Sequence, residues 1–69
     1  MNNKYFMNIF KMYESVEEMA KACGEAYTEY LMYTYNHPGK YAERHKTGRT
    51  CDYDGKTKFW FEFQAWTES

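Results

Sequence analysis

The sequence has very little aliphatic side-chain material. Val16, Ile9 and Leu31 are the only aliphatic residues larger than alanine, whereas aromatic residues make up 22% of the 69-residue chain. A chain of this length buries about 60% of the surface that its unfolded form exposes, and each aromatic side chain offers about 150–250 Å². Part of the aromatic surface is therefore expected to face a partner, a second copy of the chain or water.

Long apolar runs and cysteine pairs are also missing. No run approaches the roughly 20 residues that cross a bilayer, and residues 1–8 lack the apolar core and cleavage site of a secretory signal. We therefore expect a cytoplasmic protein with no membrane partner. Cys23 and Cys51 are too few for a disulfide framework, so free thiols are favoured over a Cys23–Cys51 bridge.

Charge is balanced overall but uneven along the chain. The net charge is −1, with +1 over residues 1–14, −3 over 15–36, +3 over 37–50 and −2 over 51–69. A general nucleic-acid-binding protein usually carries a clear positive excess, which this chain lacks. Only the segment 37–50 offers a local basic patch.

The first segment predicts a strand over about residues 4–13, because it is rich in aromatic and β-compatible residues and contains no glycine or proline. Alternation places Tyr5, Met7 and Ile9 on one face. The opposite face would carry Phe6, Phe10 and Met12.

A capping box at Ser15–Glu18 predicts the start of a helix over about residues 16–35. The residues that share an apolar stripe about 140° wide on this helix are Val16, Met19, Ala20, Cys23, Ala26, Tyr27, Tyr30, Leu31 and Thr34. The sequence Asn36-His37-Pro38-Gly39 ends the helical pattern.

The remainder predicts a polar basic loop over 37–48, with one helical turn around Lys40–His45, and then a hairpin over 49–66. Asp54-Gly55 is the dipeptide that a type I′ turn prefers. The return strand is the most apolar one and is placed centrally, with Phe59, Phe61 and Phe63 on one face and Trp60 and Trp66 on the other.

These elements predict an α+β fold, a small two-layer β-α-β-β domain with one helix packed on a three-stranded, mainly antiparallel sheet. The face of the sheet away from the helix would carry several large apolar side chains with no second layer. Such a patch usually marks a binding or oligomer surface. Homodimerisation through this face is predicted, with Phe6, Phe10, Met12 and Trp60 at the interface.

No catalytic, cofactor or metal signature is evident. Cys23, His37, His45 and Cys51 supply zinc-type ligands, but the local Cys-x2–4-Cys and His-x3–5-His pairs that usually assemble a site are absent. A Cys51–His45 nucleophile would have Asp52 and Asp54 nearby, which would raise the thiol pKa. We therefore expect no enzyme activity, no metal and no cofactor.

The leading hypothesis is a non-enzymatic module that binds a larger macromolecule, taken to be a protein. Tyrosine, methionine, tryptophan and arginine are typical of such contacts. The predicted contact residues are Tyr30, Met32, Tyr33 and Tyr35 of the helix, Tyr41, Arg44, Lys46 and Arg49 of the basic segment, and Trp60 and Trp66 of the last strand.

Composition suggests where such a protein would come from. Abundant Asn, Lys, Tyr, Phe and Met is typical of an AT-rich gene, and a small product without chemistry suits a virus- or mobile-element-encoded inhibitor of a host protein. The alternative is a single-stranded nucleic-acid-binding protein that uses the cations and tyrosine of the basic loop together with exposed aromatic rings.

Overall fold

A computed structural model describes residues 4–68 of the chain. It contains, in order, β1 (Lys4–Tyr13), α1 (Val16–Asn36), β2 (Tyr41–Cys51) and β3 (Thr57–Thr67). The helix packs on one face of a three-stranded antiparallel sheet. The predicted α+β fold with a β-α-β-β element order is confirmed.

β3 lies at the centre of the sheet, in the strand order β1-β3-β2. This central position was predicted from its apolar sequence, because only a central strand has both edges satisfied and one whole face available for the core. Phe61, Phe63 and Ala65 are its buried side chains. They form the core together with Ala26 of the helix, and the partly buried Ile9, Met19 and Tyr30 are among the residues packed around it.

The helix begins as the capping pattern predicts. The Ser15 side-chain oxygen accepts a hydrogen bond from the Glu18 backbone N–H at 3.2 Å, which satisfies one of the free N–H groups of the first turn. The helix ends at Asn36, one residue beyond the predicted end, and the His37 N–H donates to the Tyr33 carbonyl at 2.9 Å.

The helix is rotated relative to the predicted stripe. Ala26 is buried and Met19, Cys23 and Tyr30 are partly buried, but Val16, Tyr27 and Leu31 remain 47%, 45% and 38% exposed. The cause is the position of the helix, which packs on β3 and β1 and hardly reaches β2. One flank of its apolar stripe therefore overhangs a part of the sheet that it does not cover.

The predicted basic loop is wrong. Residues 41–51 form the 11-residue strand β2, and no helical turn forms around Lys40–His45. β2 pairs with β3 at every position from Tyr41 opposite Thr67 to Cys51 opposite Thr57, so the hairpin starts eight residues earlier than 49. A strand at a sheet edge, only partly covered by the helix, tolerates the polar sequence that favoured a loop.

The hairpin connection also differs from the predicted type I′ turn. The Gly55 N–H donates to the Asp52 carbonyl, and the Asp52 N–H donates to the Lys56 carbonyl, both at 2.9 Å. Gly55 has φ of +85°, and no other residue than glycine has positive φ in residues 4–68. This arrangement is a three-residue connection that ends in a left-handed glycine, whereas type I′ would need positive φ at Asp54 as well.

A β-bulge in β1 changes which side chains face the helix. The register with β3 shifts between Tyr5 and Met7, so the extra residue, Phe6, lies beside the core next to Met7. Tyr5 instead pairs with Trp66 on the opposite face. The predicted faces of Phe6 and Tyr5 are therefore both wrong, because a bulge interrupts the alternation that the prediction assumed.

Candidate binding face of the sheet

The sheet face away from the helix, called here the open face, is defined by the strand register. Residues directly opposite each other on neighbouring strands point to the same side of a sheet, and Phe61, Phe63 and Ala65 point to the helix. The alternate residues therefore form the open face. They are Tyr5, Asn8, Phe10 and Met12 of β1, Ala42, Arg44, Lys46, Gly48 and Thr50 of β2, and Lys58, Trp60, Glu62, Gln64 and Trp66 of β3.

Two aromatic pairs lie on this face, one towards each end. The Phe10 and Trp60 ring centroids are 5.8 Å apart, and those of Tyr5 and Trp66 are 5.3 Å apart. We call the first, with Met12 and Gly48, the Trp60 patch, and the second, with Ala42, the Trp66 patch. The predicted shared face of Phe10, Met12, Trp60 and Trp66 agrees with the strand register.

The β1 side of both patches is strongly exposed. Phe10 is 61%, Tyr5 52% and Met12 49% exposed, whereas Trp60 and Trp66 are partly buried against the sheet. A ring that is already held by a second ring loses little side-chain entropy when a partner covers it. Such rings therefore favour binding more than mobile surface side chains of the same size would.

Trp60 is held against β2 by a glycine. A Cβ added at Gly48 would overlap the indole atoms Cε2, Cζ2 and Nε1, so the ring occupies the space above the glycine backbone. Any other residue opposite Trp60 would force the indole away from the sheet. Gly48, which the sequence predicts at the end of the loop over 37–48, is therefore the residue that fixes the orientation of the Trp60 ring.

A row of hydrogen-bonded polar side chains, the polar bridge, crosses the open face between the two patches. The Arg44 Nη2 group donates to Gln64 Oε1 at 2.6 Å, and the Gln64 Nε2 group donates to Asn8 Oδ1 at 3.3 Å. The bridge links all three strands. The predicted contact residue Arg44 thus lies on the open face, with its guanidinium oriented by Gln64.

Charge is divided between the two sides of the molecule. Arg44, Lys46 and Lys58 lie on the open face, with Glu62 as its one carboxylate within the described residues. The helix instead carries Glu17, Glu18, Glu25 and Glu29, all exposed, with Lys21 as its only cation. The open face is therefore the basic side of a protein whose net charge is close to zero.

Two of the helix tyrosines predicted as contact residues, Tyr30 and Tyr33, lie in a structural cluster instead of on the open face. Phe6 stacks on Tyr33 with centroids 4.2 Å apart, and Tyr41 meets both rings edge-on at 5.5 and 5.9 Å. The Tyr41 hydroxyl donates to the His37 carbonyl. Tyr30 packs against Phe63 at 5.9 Å.

These contacts close the C-terminal end of the helix onto β1 and β2. Burial raises the pKa of Tyr30, and the nearby Glu43 carboxylate raises it further. Tyr30, Tyr33, Tyr41 and Phe6 are all partly buried, so they hold the fold together at this end.

The other predicted contact residues lie away from the open face. Met32 and Tyr35 are 60% and 81% exposed on the solvent side of the helix. Arg49 pairs with Phe59 and therefore points to the helix side of β2. The ten predicted contact residues thus do not form one continuous surface. Four of them, Arg44, Lys46, Trp60 and Trp66, share the open face.

Cys23, His37, His45 and Cys51 are not gathered into one metal site in the described part of the chain. Within residues 4–68, no group of three or more His, Cys, Asp or Glu side chains is placed to hold a metal ion. Cys23 and Cys51 are free thiols, and burial raises the pKa of Cys23, which favours the unreactive neutral form. The helix that the structure describes is also not apolar enough to cross a membrane.

Comparisons of this chain with known protein families, with curated proteins and with solved structures give no match.

Proposed function

We propose that the protein is a non-enzymatic binding module whose open face docks on a larger protein and covers a functional surface of it. The observation that supports this proposal best is the pair of aromatic patches on a sheet face with no second layer. Trp, Tyr, Phe, Met and Arg are the residue types enriched at protein interfaces, and all five occur on this face.

The more specific proposal is that the module is a virus- or mobile-element-encoded inhibitor of a host protein. It rests on composition, since the chain is rich in Asn, Lys, Tyr, Phe and Met, and on size, since occlusion needs only a stable surface. The open face spans three strands of 10 or 11 residues, each about 35 Å long, so it can supply a large part of a standard interface patch of about 800 Å² per partner.

A pull-down from the native cell, with captured protein and nucleic acid both identified, tests the proposal. We expect a specific protein to be retained by the wild type and lost with Tyr5→Ala or Phe10→Ala, whose side chains are half or more exposed. The matched controls are Met32→Ala and Tyr35→Ala on the solvent side of the helix, which should retain the same protein. Equal loss with the control variants would contradict the proposal.

A second candidate function, single-stranded nucleic-acid binding, is favoured by one observation, the gathering of Arg44, Lys46 and Lys58 beside the aromatic rings of the open face. It predicts that bound oligonucleotide is released as salt rises from about 50 to 200 mM, and that Lys46→Ala weakens binding as much as Phe10→Ala does. Contact with a protein through aromatic residues should instead resist the added salt.

A further inference from the structure

The outer edge of β2 has unpaired backbone groups on every second residue. The Asp52 N–H donates to the Lys56 carbonyl and the Glu68 N–H donates to the Lys40 carbonyl, at the two ends of the β2–β3 ladder. In an antiparallel pair, hydrogen-bonded positions alternate with positions that bond outward. Even-numbered residues of β2 therefore bond to β3, and the backbone groups of Tyr41, Glu43, His45, Thr47, Arg49 and Cys51 point away from the sheet.

This edge is long and regular. β2 keeps one register with β3 over all of its 11 residues and contains no proline, whereas the other edge strand, β1, is interrupted by its bulge. A long regular edge is a template for another strand. Native proteins usually protect such an edge or pair it.

On the face of the sheet that carries the helix, the part next to β2 is not covered by α1. A groove of about 320 Å³ lies between α1 and β2, and its lining includes Tyr27 of the helix, Glu43 and His45 of β2, and Phe63 of β3. Tyr27 and Leu31, on the overhanging flank of the helix, remain exposed. A strand added at the β2 edge would close the open side of this groove.

We propose that the occupant of the β2 edge is a second copy of this chain, paired antiparallel through β2 about a two-fold axis at Lys46. This register overlaps residues 41–51 completely and pairs all six outward-bonding residues, with about twelve new backbone hydrogen bonds. It places Glu43 opposite the partner's Arg49 on the helix side, and symmetry forms this ion pair twice.

Charge distinguishes this register from its neighbours. A two-fold axis at His45 would place Arg44 opposite the partner's Lys46, which is a repulsive pair. An axis at Thr47 would place Glu43 opposite the partner's Cys51 and lose both ion pairs. In the proposed register Lys46 meets its own symmetry copy, and each Lys46 is paired across the strand with Glu62 of its own β3, which offsets the like charge.

The open faces of the two copies would join into one six-stranded face. Arg44 lies opposite the partner's Gly48, whose backbone is covered by the partner's Trp60 indole, so Arg44 and that indole are neighbours across the new strand pair. An arginine next to an indole face gains cation–π attraction. Each copy thus contributes a cation to the other copy's Trp60 patch. The dimer leaves the open face free, whatever that face binds.

Sedimentation analysis of a charge-swap series tests the register. We expect a concentration-dependent wild-type dimer, and at least about tenfold weaker dimerisation for Glu43→Arg and for Arg49→Glu, because each change makes two attractive pairs repulsive. The double variant Glu43→Arg/Arg49→Glu should dimerise like the wild type. It also lacks the Glu43–His45 contact at 2.9 Å, so its recovery reports the pairing between copies and not that contact.

Backbone amide hydrogen exchange provides a second readout. The outward amides of Glu43, His45, Thr47 and Arg49 should gain protection as protein concentration rises, while those of the even-numbered residues of β2 stay protected throughout. His45→Pro removes one outward N–H that the monomer does not use, so it should give a folded monomer.

Two results would overturn the proposal. One is a wild-type monomer at millimolar concentration with no added protection of these amides. The other is a dimer that is unaffected by the charge changes and dissociated by Phe10→Ala or Met12→Ala, which would place the interface on the open face, as the sequence predicts. Because the edge and the open face are changed by different variants, failure here leaves the proposed function standing.

Discussion

The indole of Trp60 occupies the space above Gly48, where a side chain on β2 would otherwise stand. Replacement of Gly48 by alanine should displace the ring and lower the free energy of unfolding by about 1–3 kcal/mol, the usual cost of overpacking. Tryptophan fluorescence should shift at the same time, because Trp60 moves into water. Denaturant titration and emission spectra measure both effects.

Gly24 provides the opposite case and a control. Apart from its chain neighbours and the adjacent backbone of the helix itself, nothing lies within 4 Å of a Cβ added at Gly24, which sits inside the helix. Gly24→Ala should therefore raise the free energy of unfolding by up to about 1 kcal/mol through helix propensity alone, with unchanged fluorescence. Equal effects of the two alanine substitutions would show that Trp60 is not held by Gly48.

Substitution of a core phenylalanine should lower the free energy of unfolding much more than substitution of a phenylalanine on the open face. Phe63 is 2% exposed, so Phe63→Ala should cost about 3–5 kcal/mol, a large part of the about 3–10 kcal/mol expected for a chain of 69 residues. Phe10 is 61% exposed, and Phe10→Ala should cost less than about 1 kcal/mol. Urea titrations of the two variants check this difference; a large loss for Phe10→Ala would mean that the open face supports the fold.

Loss of the helix N-cap should lower the free energy of unfolding less than loss of a core side chain. Ser15→Ala removes the acceptor of the Glu18 N–H and should lower the free energy of unfolding by about 1 kcal/mol. Ser15→Asp keeps an acceptor at the same position and adds a negative charge at the helix N-terminus, so it should retain most of the wild-type stability. Thermal denaturation followed by circular dichroism compares the three proteins.

Alkaline pH should destabilise the fold through Cys23 and Tyr30. Burial raises the pKa of both groups above their ordinary values of 9.0 and 10.0. The folded state therefore holds these protons at a pH where the unfolded chain releases them, so stability is complete below pH 9 and falls as pH rises through the folded pKa values.

Cys23→Ala should reduce the steepness of this alkaline loss, which denaturant titrations at a series of pH values measure. Cys51→Ala is the matched control, because Cys51 is an exposed thiol at the end of β2. An identical alkaline profile for the wild type and Cys23→Ala would assign the loss to other groups.

Local sequence signals predict the helix well, since Ser15 and Glu18 mark its start and Pro38 limits its end. The central position of β3 follows from its apolar sequence. β2 could not be recognised in the same way. β2 is held in place by its backbone hydrogen bonds to β3. Because this polar edge strand has no alternation of apolar residues, its own sequence carries no strand signal.

The candidate binding face was predicted in part. Phe10, Met12, Trp60 and Trp66 follow from simple alternation. Tyr5 and Phe6 exchange faces because of a bulge that the residue types do not predict, and Tyr30 and Tyr33 pack inward because the helix lies over β1 and β3. Both depend on how elements meet in three dimensions.

The polar bridge of Arg44, Gln64 and Asn8 separates the two aromatic patches, so the open face should select partners by the distance between their apolar groups. Trp60 and Trp66 are six residues apart on one strand, which corresponds to about 20 Å. A matching ligand must present two apolar groups at that separation, with hydrogen-bonding groups between them to replace the water on the bridge. A uniformly apolar partner surface would remove water from the Arg44 guanidinium without replacing its hydrogen bonds. Such a partner would therefore bind poorly even if it fitted both patches.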